Sequence, residues 1–234
     1  MIRVRDCCVT AGAFALRDIA FDVPPRAFGV VVGPAGAGKT TLLEVIAGVR
    51  TPQSGSVWLH GKDVSRHAPE ERGVGLVYQH GALFPHRSVQ QNIMWSTSNA
   101  DACESVIARL DIEPLLATPV VSLSGGERQL VAIARALVRV RQCLEHARSP
   151  VLLLDEPFSA LDPRRRIATR AAIHECHREW GLTTLQVTHD GTDAARADYA
   201  VLLEGGRIVQ CGPPAEMLRS PARDDVTLFL SGAV

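Results

Sequence analysis

Gly33-Pro34-Ala35-Gly36-Ala37-Gly38-Lys39-Thr40-Thr41 follows Phe28-Gly29-Val30-Val31-Val32 and precedes an apolar set at Leu42, Leu43, Val45 and Ile46. The run from Phe28 to Val32 suits a short strand buried on both faces. The set after the glycines repeats at helical spacing, and Gly48 is placed to end that helix as its left-handed C′ residue. A strand, a glycine loop and a helix are the context in which G-x-x-x-x-G-K-[ST] reads as a phosphate-binding loop. Glycines let backbone N–H groups wrap a triphosphate, and the helix start adds partial positive charge. Lys39 is expected to reach the β and γ phosphates, and the Thr40 hydroxyl to ligate Mg²⁺.

The bulk composition narrows what surrounds this loop. A chain of 234 residues fits one α/β domain or two small ones. With 46% hydrophobic residues it can bury a sizeable core. Lys plus Arg number 25 and so do Asp plus Glu, which leaves no basic excess of the kind nucleic-acid binders carry. Arg164-Arg165-Arg166 is the densest basic cluster and reads as a solvated helix end. The six cysteines, at 7, 8, 103, 143, 176 and 211, show no C-x-x-C spacing and suggest neither a disulfide framework nor structural zinc. Free thiols fit a reducing compartment. His174 and His177 stand three apart on a predicted helix, but no second ligand cluster accompanies them, and no metal site is assigned there. Residues 1–8 lack the apolar stretch of a signal peptide, and no window approaches the ~20 apolar residues of a membrane span. A cytoplasmic protein is expected, with any membrane role exerted through a partner.

Four apolar runs end at polar residues. Phe28–Val32 enters the loop, Val74–Tyr78 ends at Gln79, Val151–Leu154 at Asp155-Glu156-Pro157, and Thr184–Thr188 at His189. Open parallel sheets bind ligands beyond the carboxyl ends of their strands, so these runs are expected to aim their polar residues at one edge of one sheet. Between Gln79 and about Arg135 the texture turns helical, with Val106, Ile107, Leu110 and Leu115 in register over residues 102–116. The stretch up to Phe28, with Ser54–Gly61, reads as short antiparallel strands, and Glu204-Gly205-Gly206 as a hairpin turn. The expected fold is α/β: a P-loop NTPase core with a mainly parallel sheet, an N-terminal antiparallel β subdomain and an inserted helical subdomain. We place the core at about 1–79 and 136–234 and the helical part at about 80–135, within one domain spanning 1–234.

Asp155 and Glu156 close an apolar run where acids would face a metal-bound phosphate. Asp155 is read as holding Mg²⁺, and Glu156 as the group that orients or deprotonates the attacking water. Leu123-Ser124-Gly125-Gly126-Glu127 is first a capping box, Ser124-x-x-Glu127, before an amphipathic helix with Leu130, Ile133, Ala134, Leu137 and Val138 on its apolar face. Its glycines also make a second anion-binding helix start. One chain then has two such starts but one lysine loop and one acid pair, so the second start is read as serving the nucleotide of another subunit.

Taken in order, the phosphate loop, Gln79, Leu123–Glu127, Val151–Glu156, Ser159-Ala160-Leu161-Asp162 and His189 resemble the full motif set of ATP-binding cassette (ABC) transporter ATPases over essentially the whole chain. The resemblance implies two cassettes paired head to tail. Each ATP, with Mg²⁺, would lie between Gly33, Pro34, Ala35, Gly36, Ala37, Gly38, Lys39, Thr40 and Thr41 of one copy and Ser124, Gly125, Gly126 and Glu127 of the other. It implies Thr40, Gln79 and Asp155 as the metal set, and Glu156, His189 and Gln79 as the catalytic set. Asp162 would sit at the dimer contact and cap the helix that starts at Pro163. Read without the resemblance, a lone histidine such as His189 is more often a packed surface or core residue, and its place at a strand's carboxyl end is what favours the functional reading.

The stretch from Leu83-Phe84-Pro85-His86 to Asn92-Ile93 resembles that of import-type cassettes, where it helps form a groove for a permease helix. By itself it fits core as well as docking surface. The overall similarity points to importers of oxyanions such as molybdate, tungstate or sulfate. The implied protein is an ATP-hydrolysing coupling subunit, peripheral on the cytoplasmic face of the membrane. Its implied partners are membrane permease subunits, an identical second cassette and, indirectly, an extracytoplasmic substrate-binding protein, with no nucleic acid. A DNA-repair ATPase with the same site is the alternative, although no coiled-coil heptads lie between Thr41 and Ser124. Departures from the family pattern are Leu130 in place of the usual Arg, an extra segment at 141–149, and Phe14 as the one nearby candidate to stack on adenine.

Overall fold

The structure, a computed structural model, describes residues 1–97, 99–145 and 150–231. The chain begins β1 (Ile2–Ala11), β2 (Phe14–Val23), β3 (Phe28–Val32), α1 (Lys39–Ala47), β4 (Ser54–Leu59), β5 (Lys62–Asp63) and β6 (Val74–Val77). It continues through α2 (Val89–Ile93), α3 (Ala100–Leu110), α4 (Gly125–Glu145), β7 (Val151–Asp155) and α5 (Pro163–Trp180). It closes with β8 (Thr183–Val187), α6 (Gly191–Arg196), β9 (Tyr199–Glu204), β10 (Arg207–Gly212), α7 (Pro214–Arg219) and α8 (Asp225–Ser231). These elements form two compact units, Met1–Arg72 with Thr183–Val234, and Gly73–Leu182.

In the first unit, β2-β1-β4-β5 make an antiparallel sheet, as expected of the N-terminal strands. Beside them β3 pairs in parallel with both β8 and β9, and β9 pairs antiparallel with β10. Every residue of β3 and β8 is buried, which explains why β3 reads as a continuous rather than alternating apolar run. Gly205 (φ 53°) and Gly206 (φ 75°) form the turn of the β9–β10 hairpin, whose left-handed backbone matches the strand twist.

Helix α1 buries Leu42, Leu43, Val45 and Ile46 and stops at Gly48, whose φ is 85°. Its last turn is held by Arg72, a buried side chain that donates to the carbonyls of Val45 at 2.8 Å and Ile46 at 3.0 Å. A cation at a helix C-terminus meets the negative end of the macrodipole and satisfies orphan carbonyls. A Cβ on Gly48 would run into that guanidinium, so the glycine supplies room as well as backbone freedom.

In the second unit, β6 and β7 run parallel, in register from Val74↔Val151 to Val77↔Leu154. Helix α4 lies directly on β6: a Cβ on Gly75 would come within 2.7 Å of the Ala136 carbonyl oxygen and 2.8 Å of Val140. The expected apolar face of α4 is buried at Leu130, Ile133, Leu137 and Val138. The helix continues through Glu145, so part of the stretch 141–149 prolongs it, while 146–149 lie outside the described residues. Helix α3 ends earlier than its apolar spacing suggested. Asp111 takes a left-handed φ of 51°, and Leu115 falls in a separate short turn that contains Pro114.

Candidate active site

The phosphate loop connects β3 to α1 and is built around its glycines. Gly33 has φ 145°, and a side chain there would collide with the Leu203 carbonyl of β9. Gly38, at φ 100°, begins α1 with no side-chain cap, and the side chains of Phe14 and Leu16 leave no space for a Cβ. The aromatic singled out for adenine therefore lies against the phosphate loop. The hairpin turn adds a strap: Gly206 N–H donates to the Ala37 carbonyl at 3.2 Å and its own carbonyl accepts from Arg17 at 2.8 Å.

Lys39 opens α1 and is 9% exposed. Its ammonium donates to the Gly33 carbonyl at 2.8 Å and the Pro34 carbonyl at 2.9 Å. Thr40 and Thr41 follow in the first helical turn. The backbone curve from Gly33 to Gly38, the buried lysine and the uncapped helix start form a donor set suited to a polyphosphate. His189 is exposed just beyond β8. The Thr188 N–H before it donates to the Val31 carbonyl at 3.2 Å, which ties the histidine's loop to the strand feeding the phosphate loop.

In the second unit the structure brings Gln79 and Glu156 together. The Gln79 amide donates to the Glu156 carboxylate at 3.0 Å. Asp155 is buried at the end of β7, and Glu156 adopts φ 44°, a left-handed conformation unusual for a side-chain-bearing residue. Backbone of this kind clusters at functional sites, and the Ser159 hydroxyl stabilises it by donating to the Glu156 carbonyl at 3.0 Å. The oxygens of Thr40, Gln79 and Asp155 are the hard donors that Mg²⁺ selects, so their chemistry fits that ion.

The second helix start is as expected. Ser124 N–H donates to the Glu127 carboxylate at 2.7 Å, and Glu127 N–H donates to the Ser124 hydroxyl at 3.3 Å. These hydrogen bonds with Ser124, side chain first and backbone second, hold the Glu127 carboxyl below its ordinary pKa. Ser124, Gly125, Gly126 and Glu127 open onto a cavity of about 520 Å³ that Asp162 and Arg165 also line. Asp162 caps α5 by accepting from the Arg164 and Arg165 N–H groups at 2.9 and 3.1 Å. Leu130, the departure from the family pattern, forms part of the cavity's apolar wall.

Residues 16–159 match the family model described as ABC transporter. The chain belongs to the ABC transporter family. This cassette is 38% identical over 243 residues to a sulfate/thiosulfate import ATP-binding protein of Pseudomonas syringae, covering 98% of the cassette and 72% of the relative. It is 39% identical over 222 residues to an sn-glycerol-3-phosphate import ATP-binding protein of Rhizobium johnstonii, covering 91% and 57%. A maltose/maltodextrin import ATP-binding protein of Escherichia coli is 40% identical over 223 residues, covering 92% and 58%. The cassette thus spans only a little over half the length of two of these relatives. A solved ATP-binding cassette, described as a dimeric post-hydrolysis state bound to ADP and Pi, superposes with a TM-score of 0.79 at 22% identity, over 91% of this chain and 98% of that one. That likeness bears out the expected fold, mixed sheet, antiparallel N-terminal sheet and helical part included. Among the described residues no helix is long and apolar enough to cross a membrane.

Two buried polar residues escaped sequence reading. Arg72 gave no signal, because an arginine at the end of a polar turn looks solvated. Asp193, on α6 beyond His189, is buried although its neighbourhood in sequence is small and polar.

Proposed function

We propose that this cassette is the ATP-hydrolysing subunit of an ABC importer, working as a symmetric pair on a membrane permease. The observation that carries the reading is the pairing, in one chain, of a lysine-bearing phosphate loop with a second glycine-rich helix start open to a 520 Å³ cavity. Two copies in head-to-tail apposition give each loop a partner start, and ATP then joins the subunits. In this reading Gly33–Thr41 hold the triphosphate and Ser124–Glu127 of the second copy close over it. Thr40, Gln79 and Asp155 hold Mg²⁺, which neutralises charge building on the phosphates. Glu156 orients the attacking water and draws off its proton, while His189 donates to the γ-phosphate. Gln79 links this chemistry to the helical residues at about 80–135, with the whole of 1–234 acting as one cassette.

The names of the relatives favour import over DNA repair. The sulfate/thiosulfate relative supports an oxyanion cargo such as sulfate, molybdate or tungstate, delivered by an extracytoplasmic binding protein. Localisation at the cytoplasmic face follows from the permease partnership. Glu156→Gln tests the chemistry: ATP binding is retained, turnover falls by about a thousand-fold or more, and an ATP-bound dimer accumulates on gel filtration. Turnover at the wild-type rate sinks the role given to Glu156. Labelled-sulfate uptake in cells lacking the gene tests the cargo: unchanged uptake removes sulfate from it.

A further inference from the structure

Behind His189 lies a buried polar cluster that the roles above do not use. Gln186, Thr188 and Asp193 are 1%, 5% and 6% exposed, whereas His189 itself is exposed. One carboxylate oxygen of Asp193, Oδ2, accepts from the Gln186 amide at 2.7 Å and from the Thr188 hydroxyl at 3.2 Å. The Thr188 hydroxyl in turn accepts from the Asp190 N–H at 3.0 Å. Asp193 N–H donates back to the Asp190 carbonyl at 3.1 Å. The residue before His189 is therefore bonded to the buried carboxylate directly and the residue after it through the Thr188 hydroxyl, and Thr188 N–H is tied to β3 at Val31.

A buried carboxylate is costly unless its hydrogen bonds are satisfied, and a satisfied network in low dielectric is stiff. We propose that Asp193 is the positioning residue for His189. Its carboxylate orients the Thr188 hydroxyl, which in turn holds the Asp190 N–H on the far side of the histidine, while the Thr188 N–H separately joins this backbone to β3 at Val31. Gln186 holds the carboxylate from the strand side, and Thr188 relays it to Asp190. This inference rests on His189 acting at the γ-phosphate, as proposed above.

The test compares Asp193→Asn, Thr188→Val, Thr188→Ser and His189→Ala in the full chain. Single-turnover ATP hydrolysis is measured together with affinity for a fluorescent ATP analogue and the His189 ring resonances by NMR. D193N and T188V are expected to slow hydrolysis about ten- to a hundred-fold while analogue affinity stays within about two-fold, the pattern of misplaced rather than missing binding groups. T188S keeps the hydroxyl and is expected to hydrolyse near the wild-type rate. In the H189A background D193N is expected to add no further loss, because its effect runs through the absent ring. The His189 resonances are expected to shift in D193N and T188V but not in T188S. Full activity in T188V, or an additive loss in the double variant, overturns the proposal. Should D193N not fold, the contrast between T188V and T188S decides it alone. Wild-type hydrolysis by H189A instead overturns the role of His189, a separate failure from that of Asp193.

Discussion

His60 shows how one side chain ties stability to pH. It is half-buried with a left-handed φ of 50°, and the Met1 amine lies 3.0 Å from its Nδ1. Burial first, and that amine second, push its pKa from 6.5 down to about 4. The folded chain thus binds this proton less readily than the unfolded chain, and stability falls as pH drops from about 6.5 to about 4. His60→Asn keeps a residue that tolerates the backbone and removes the titration. Melting temperatures between pH 7 and pH 4 should fall less steeply for the variant than for the wild type. Parallel slopes would remove His60 from the acid response. Such features separate what single positions disclose from what they conceal. Lys39, Thr40, Ser124 and Asp162 were legible because their neighbours in sequence are also their partners: a loop, a cap, a first helical turn. Gln186 and Asp193 were not, because their bond spans a turn and a polar residue in a buried strand carries no local mark. Glu156 was legible as an acid, but its left-handed backbone was not.

Elements were legible where burial imposes one pattern. Strands β3 and β7 are buried along their whole length, and α4 carries its apolar face over several turns, so periodicity found all three. Boundaries set by single backbone angles were harder, as at Asp111, where the apolar spacing runs on after the helix has ended. The contact of β6 with α4 depends on a missing side chain. Gly75→Ala puts a methyl within 2.7 Å of the Ala136 carbonyl oxygen, so the helix must lift or the strand must bend. Overpacking of this kind costs about 1–3 kcal/mol, and chemical denaturation should show that loss with an unchanged m-value. Stability equal to the wild type would mean that α4 shifts freely over the strand. Gln79 stands just beyond the end of β6 and bonds Glu156 within the same unit, so a bend in the strand carries that amide with it.

For the assembly, head-to-tail pairing makes a strong demand. In the proposed pairing each composite site takes its lysine from one copy and its serine from the other. Lys39→Ala and Ser124→Arg chains should each be inactive alone, since every site in either homodimer lacks one face. Mixed in equal amounts, they form heterodimers in which one site has both faces intact. ATPase activity should return to about a quarter of the wild-type rate, half the dimers being mixed with one sound site each. A mixture as inactive as its components would sink the head-to-tail arrangement, whereas activity in S124R alone would show that the second helix start is dispensable. The proposed pairing was reached in the sequence only by counting, two glycine helix starts against one lysine loop, because no local pattern records a partner.

The engagement of Lys39 with the Gly33 and Pro34 carbonyls bears on how the cassette lets go of its fuel. If Lys39 meets the nucleotide as proposed, an arriving phosphate competes with two backbone oxygens for the same ammonium, so association is an exchange of ligands about a cation. The gain would be a difference between two comparable sets of contacts, and departure of a spent nucleotide would be assisted by oxygens ready to take its place. A subunit that cycles as proposed would gain more from such reversibility than from tight retention.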